Sequence, residues 1–485
     1  MIYLVAILAY LLVLTGIGIY KSRQVQTQAD FSVAGRSLSP WILVCTMLAA
    51  WIGTGSIVGN AGMTYQTGLA ALILPIGSVI GMILLTRVAP RARSYDVYSV
   101  PEIIGARYGQ IARVLAVFAL VIAYMVIVSY QFNALGAVLN AILTDQAGKP
   151  LITEQIGTVI AVVSIITYTI LAGLLSLAYT DIVTGIIITV TLIVSLPVLW
   201  GHAGGWAGME AHFAAMGKAS HMKAWGVYSP AQIINYTLPT FLLIMGDANQ
   251  YQRFFASKSA KGVKSAVTFM IFAVLLIESL IILEAWIASS LIPDATVGKY
   301  VLIYAAKDFM PIALGVLFMI TIVGIIISTA DSFLLIPATS IIRDVYLNYV
   351  NPKASEKRTV FLSRLLVLVL GIIAYLVSLA FAKDVTIFEK AMYAYTIYGA
   401  AITPCLAAAL FWKRATKTGA IASIVGGTVT TLVWSAVDFP KSGSFQWAAE
   451  LDAVLPALAV SVFSLVIGSL LTRRSTSHLP SFAAR

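Results

Sequence analysis

Charge is scarce in this 485-residue chain, at 11% Asp, Glu, Lys and Arg against about 25% in an ordinary soluble protein. Hydrophobic residues make up 60% of the chain and mean hydropathy is +0.94. A chain this poor in charge excludes a soluble enzyme and a disordered scaffold. Cysteine is nearly absent: Cys45 and Cys405 both lie in apolar stretches. They read as small buried hydrophobes, which excludes a secreted disulfide module and gives no redox site. The four histidines include no pair at metal-ligand spacing. There is also no polar stretch long enough to fold as a separate domain. The apolar run Ile2 to Tyr20 lacks a basic leader and a small-residue cleavage site, so it reads as a retained first span rather than a signal peptide.

What the chain has is apolar runs near the spanning length, recurring from end to end. With about 20 residues needed to cross about 30 Å of hydrocarbon, they predict an all-α polytopic membrane protein of thirteen helices. The spans fall near 2–20, 41–65, 69–88, 111–143, 155–177, 179–200, 231–252, 263–291, 311–342, 359–381, 386–411, 419–437 and 454–471.

The net charge of +11 would suggest an acidic partner in a soluble chain. Here it sorts by side of the membrane. The segments after odd-numbered spans hold 23 of the 31 Lys and Arg, and the other segments hold 8. By the positive-inside rule the N-terminus is external and the C-terminus cytoplasmic, in the cell (inner) membrane. The count leaves no base deep in a span. Five acids, Asp181, Asp247, Glu278, Glu284 and Asp331, do fall inside apolar spans. An intramembrane carboxylate is costly unless paired, neutralised or facing water. Five with no base among them point to a visiting cation, or to protonation for those near a span end, as with Glu284.

Two spans read as broken. The second carries Gly53, Gly55, Gly59, Gly62 and Asn60, a poor continuous helix, although small residues four apart also serve close packing. Trp51 lies about ten residues from the cytoplasmic start, roughly 15 Å in at 1.5 Å per residue, near the midplane. The seventh span is interrupted at Leu238-Pro239 and at Met245-Gly246-Asp247-Ala248-Asn249-Gln250. Interrupted helices five apart and of opposite sense are the mark of a five-plus-five inverted repeat. The ninth span ends Ser328-Thr329-Ala330-Asp331-Ser332. Asp331 is about 20 residues, or 30 Å, along it, at a depth similar to that of Asp181 at the inner start of the sixth. Hydroxyls with two carboxylates suit a small hard cation; hydroxyls bonding back to their own helix are the plainer alternative.

Several separated motifs are similar to those of the sodium:solute symporter family, over roughly residues 30–415. They are Asp30-Phe31 with Ala34-Gly35-Arg36-Ser37-Leu38, the Ala49 to Gly62 segment, Ala178-Tyr179-Thr180-Asp181, Tyr251-Gln252-Arg253-Phe254-Phe255-Ala256, Ser328 to Ser332, and Arg343-Asp344-Val345-Tyr346. The resemblance implies a LeuT-type fold. It divides the single transporter domain, 1–485, into an extra N-terminal helix and loop (2–40), two inverted repeats (41–200 and 231–411) and two C-terminal helices (419–471). It also implies a first sodium site from the carbonyls of Ala49, Ile52 and Ile325 with the hydroxyls of Ser328 and Thr329. A second sodium site would use Asp181, Ser328, Asp331 and Ser332.

The Ala50-Trp51-Ile52-Gly53 run is similar to that of the high-affinity choline transporter, and Ser56 stands where sugar carriers of the family have Gln. A cationic or zwitterionic amine (choline-like, polyamine or amino acid) is therefore expected between Trp51 and Asp247, by cation–π and Coulomb attraction. Ser56, Tyr124, Gln131 and Asn249 would be polar partners. Asp247 as a simple helix cap is the competing reading. Tyr395 and Tyr398, with Tyr393, would form an outer gate, or a packed aromatic stripe. The expected activity is sodium-coupled uptake by alternating access, in the lipid bilayer, with no catalysis, no nucleic acid and no obligate protein partner. The alternatives are proton coupling through Asp181 and Asp331, a monocarboxylate, sugar or other neutral solute, and a transporter-like sensor, for which the tail after Thr472 holds no signalling domain.

Overall fold

The computed structural model describes residues 2–22, 27–95, 97–144, 149–171, 173–294, 298–381, 385–437, 448 and 450–472. Of the bases used for orientation, Arg23, Lys383, Lys441, Arg473, Arg474 and Arg485 lie outside them. The described residues form no strand beyond two isolated bridges, Leu38 with Ser257 and Thr144 with Pro150.

Fifteen helical segments matter for the site. They are α1 (Ile2–Ser22), α2 (Pro40–Trp51), α3 (Gly55–Ile73), α4 (Ile76–Arg93), α5 (Gln110–Ile142), α6 (Glu154–Leu171), α7 (Leu174–His202) and α8 (Pro230–Gly246). Then follow α9 (Ala248–Ala256), α10 (Ala260–Leu291), α11 (Ile312–Ser340), α12 (Glu356–Ala380), α13 (Ile387–Phe411), α14 (Lys417–Ala436) and α15 (Val454–Leu471).

The expected thirteen spans are not reached. Among the described residues, ten helices are long and apolar enough to cross a membrane, or eleven when α2 and α3, bent by 49°, count as one. Two expected spans fall short of that length and composition. Helix α4 carries Arg87, Arg91 and Arg93 within 18 residues, and α8 stops after 17 residues at Asp247. Pro239, expected to interrupt the seventh span, stays inside α8.

Burial separates core from periphery. In the most apolar windows of α5, α13 and the helix beginning at Ile312, 67–78% of residues are buried, against 22–28% in α1, α12 and α15. The outer helices turn Leu12, Phe361, Leu376 and Phe463 outward, as a lipid-facing surface requires. Helix starts follow capping chemistry. Ser39 accepts from the Ile42 amide with Pro40 at the first helical position, and Ser229 and Gln232 form a capping box with Pro230 in the same place. At the opposite end of the core from Pro230, Asp344 accepts from Arg113 Nε at 2.7 Å and from Ser99 Oγ at 2.7 Å.

Candidate functional site

The first break follows Trp51. Ile52 leaves helical geometry (φ −72°, ψ 95°) while its N–H still donates to the Leu48 carbonyl. Gly53 is needed there because a Cβ would lie 2.9 Å from Thr329 Cγ2, closer than packed atoms stand. This close approach sets α11 against the broken end of α2. Ser328 Oγ stands 3.5 Å from the Ala49 carbonyl oxygen, and Thr329 Oγ1 stands 3.4 Å from that of Ile52. Both distances are long for hydrogen bonds between oxygens. They match neighbouring ligands of a small hard cation: with metal–oxygen distances of about 2.4 Å, oxygens at right angles are about 3.4 Å apart. Ile325, one turn earlier on α11, is wholly buried.

The structure corrects the expectation that no base accompanies the intramembrane acids. Arg253 on α9 is fully buried. Its Nη2 donates to Asp181 at 3.3 Å and to Ser332 Oγ at 2.9 Å, its Nε donates to the Thr46 carbonyl at 3.0 Å, and its Nη1 donates to Asn249 Oδ1. Asp181 also accepts from Thr46 Oγ1 at 2.5 Å and from Ser328 Oγ at 2.6 Å. Thus Asp181 and Ser332 meet the Arg253 guanidinium, and Ser328 joins them through Asp181. Asp331 turns away: its Oδ1 accepts from Thr169 on α6 at 2.5 Å, and its Oδ2 has no partner.

The second break is at Asp247 (φ −57°, ψ 108°). Its Oδ1 accepts from the Asn249 amide at 3.1 Å and from Tyr124 Oη at 2.5 Å, so it caps α9. Asp247 is not among the residues lining the space beside Trp51. Trp51 instead lines a cavity of about 30 Å³ with Ser56, Asn60, Glu278 and Tyr395, room for a water rather than an organic solute. Glu278 on α10 accepts from Ser56 Oγ at 2.5 Å and from Asn60 Nδ2 at 3.0 Å. Tyr395 presses on the break, since a Cβ on Gly55 would lie 2.7 Å from its hydroxyl. Tyr398 is packed inside, 5.5 Å from the Tyr124 ring. Tyr393 faces Phe381. Gln131 accepts from Thr54 Oγ1, while its Nε2, like Asn249 Nδ2, has no partner.

Glu278 at the cavity and Arg253, buried nearby, are the residues of this region that sequence reasoning left unplaced. Glu278 had a signal, as a carboxylate in mid-span. Glu284, with the same signal, only accepts from Ser195 at 2.6 Å and lines none of these cavities.

The sodium:solute symporter family model matches residues 31–427. The chain belongs to the sodium:solute symporter family. The osmoregulated proline transporter OpuE of Bacillus subtilis (strain 168) is 27% identical over 96% of this chain and 94% of its own length. The high-affinity proline transporter PutP of the same organism is 27% identical over 94% and 95%, and a sodium/proline symporter of Staphylococcus aureus (strain JH9) is 26% identical over 97% and 93%. Among solved structures, a Na⁺-coupled sialic acid symporter in a substrate-bound outward-open state superposes with a TM-score of 0.82 at 16% identity, over 98% of this chain and 99% of its own. The nucleobase-cation-symport-1 transporter Mhp1 gives 0.58 at 13% identity, over 91% and 94%. These likenesses establish a LeuT-like fold, and the matched families and folds are those of transporters rather than enzymes. The symporter is an integral membrane protein that couples sodium to the movement of a small organic solute.

Proposed function

We propose that this symporter takes up a small zwitterionic amine of the proline type, with sodium bound by Ala49, Ile52, Ile325, Ser328 and Thr329. The spacing of the Ser328 and Thr329 hydroxyls from the carbonyls at the broken end of α2 is the observation that carries this reading. The three proline-carrying relatives support the solute class. The solute's ammonium fits the Trp51 and Glu278 side of the cavity, where an aromatic face and a carboxylate both attract a cation. The unpartnered amide donors of Gln131 and Asn249 suit a carboxylate.

In this reading there are thirteen crossings, with α4 and the α8–α9 pair completing the count, and two five-helix repeats related by inversion. The Ser-Pro starts of α2 and α8, each opening a broken helix, support that symmetry. The N-terminus is external and the C-terminus cytoplasmic. External sodium ties α2 to α11 and holds the outward-open state, solute enters beside Trp51, and Tyr395 closes over it. Opening on the cytoplasmic side lets both depart, and the sodium gradient supplies the work.

A second sodium site at Asp181, Ser328, Ser332 and Asp331 requires Arg253 to withdraw. The first site and the solute class are tested together in proteoliposomes. An inward sodium gradient should drive L-proline uptake, a pH gradient without sodium should not, and Ser328→Ala/Thr329→Ala should raise the sodium needed roughly tenfold or more. Uptake with unchanged sodium dependence in that variant overturns the site. Sodium-driven uptake of only a sugar or a monocarboxylate overturns the solute.

A further inference from the structure

The inner cavity is nearly closed, yet the protein holds a much larger one. It measures about 570 Å³, within the range of small-molecule sites. It lies against the opposite side of the helical turn that walls the inner cavity: Val58 and Gly59 face the large space, Ser56 and Asn60 the small one. A Cβ on Gly59 would meet the Phe388 backbone at 3.3 Å, and one on Gly62 the Lys299 backbone at 3.4 Å. The broken helix is thus packed directly on the segments that carry two lysines.

Both Lys299 and Lys390 line this cavity. Lys390 is only 7% exposed, and among the described residues neither ammonium has an ion-pair partner. Lys390 lies over the Phe381 ring at 5.1 Å and Lys299 over the Tyr300 ring at 5.0 Å, and their charges repel each other. Glu154, the one carboxylate among the described residues lining the space, is exposed at its rim. Glu389 is tied into the Thr386 capping box. Two cations turned toward one cavity, one of them nearly buried and, among the described residues, with Glu389 near it but in no ion pair, are a costly arrangement that an anion relieves.

We infer that this cavity is a carboxylate-accepting vestibule, in which Lys299 and Lys390 hold the carboxylate of a small solute before it passes the Gly55–Asn60 turn to reach Trp51. The two sites have opposite polarity: lysines outside for the carboxylate end, Glu278 inside for the ammonium end. A zwitterion is drawn in by one end and handed over by the other. The vestibule's role in uptake rests on the proposed zwitterionic solute and on this face being external; carboxylate binding does not.

The test separates those dependencies. Purified full-length protein is followed by thermal unfolding with sodium acetate, sodium chloride or L-proline at equal sodium, and by L-proline uptake in proteoliposomes. Acetate should stabilise the native chain more than chloride does, and Lys299→Met/Lys390→Met should abolish the difference, while Lys299→Arg/Lys390→Arg should retain it. The Met pair should also raise the L-proline concentration for half-maximal uptake roughly tenfold, about one charge-assisted contact, with sodium dependence unchanged. Equal protection by chloride and acetate, or protection that survives in the Met pair, overturns the inference. If the Met pair unfolds without ligand, Lys390→Met alone is read the same way. Acetate protection lost in the Met pair, without L-proline uptake by the native chain, supports the vestibule and overturns proline as the solute.

Discussion

Glu278 shows how one side chain can be read twice. Its two hydrogen bonds, from Ser56 and Asn60, satisfy a carboxylate structurally, yet it also lines the cavity beside Trp51. Glu278→Gln separates the two roles, because the amide keeps the shape and an oxygen for Ser56 but loses the charge. For a residue facing the solute's ammonium, the substitution should weaken half-saturation by about 10–100-fold, the worth of a hydrogen bond to a charged group, with the thermal midpoint nearly unchanged. Unaltered uptake kinetics in a folded Glu278→Gln protein would return Glu278 to a packing role. Its presence in a span was legible from the sequence, but its direction was not, because helical periodicity in a core helix buried on most sides does not say which neighbour a residue meets.

At the scale of the element, the breaks were legible and the consequences of breaking were not. Gly53 and Asp247 mark the two interruptions, where close approach and capping demand those residue types. Counting apolar residues placed Arg253 in a cytoplasmic loop, because the apolar run ends just before it. In the structure α9 continues inward, and Arg253 is held by groups on α2, α7, α9 and α11. Tertiary partners, invisible to a hydropathy window, make that burial tolerable.

Asp247 is argued at this scale too. As the cap of α9 it can be replaced by Asn, another good cap, but not by Ala. Asp247→Asn should leave half-saturation for L-proline within about threefold, whereas Asp247→Ala should cost roughly 0.5–2 kcal/mol in stability. A loss of about a hundredfold in affinity for Asp247→Asn, with unchanged unfolding, would instead mean that its charge binds the solute.

For the whole molecule, composition was enough to give a polytopic membrane protein, and the order of motifs gave the fold. The number of crossings was not readable by length alone, since α4 carries three arginines and α8 ends at Asp247 after 17 residues. Orientation is testable because the two cysteines are buried and stay silent to a membrane-impermeant thiol reagent. Applied to intact cells, the reagent should label Trp225→Cys, at a position 77% exposed, and spare Lys258→Cys on the opposite face. The reverse pattern would invert the assigned topology.

The meeting of α2 with α11 has a consequence for selectivity. The Ala49 and Ile52 carbonyls end a helix whose next residue, Gly53, is already packed on Thr329, and interiors this dense yield little. If the proposed sodium site is right, a cage so braced would resist widening for potassium, the larger ion that crowds the cytosol. Once its sodium had left, the carrier would then not be refilled by the commonest ion around it. The emptied form would be free to turn back, and the cycle would run in the direction set by sodium.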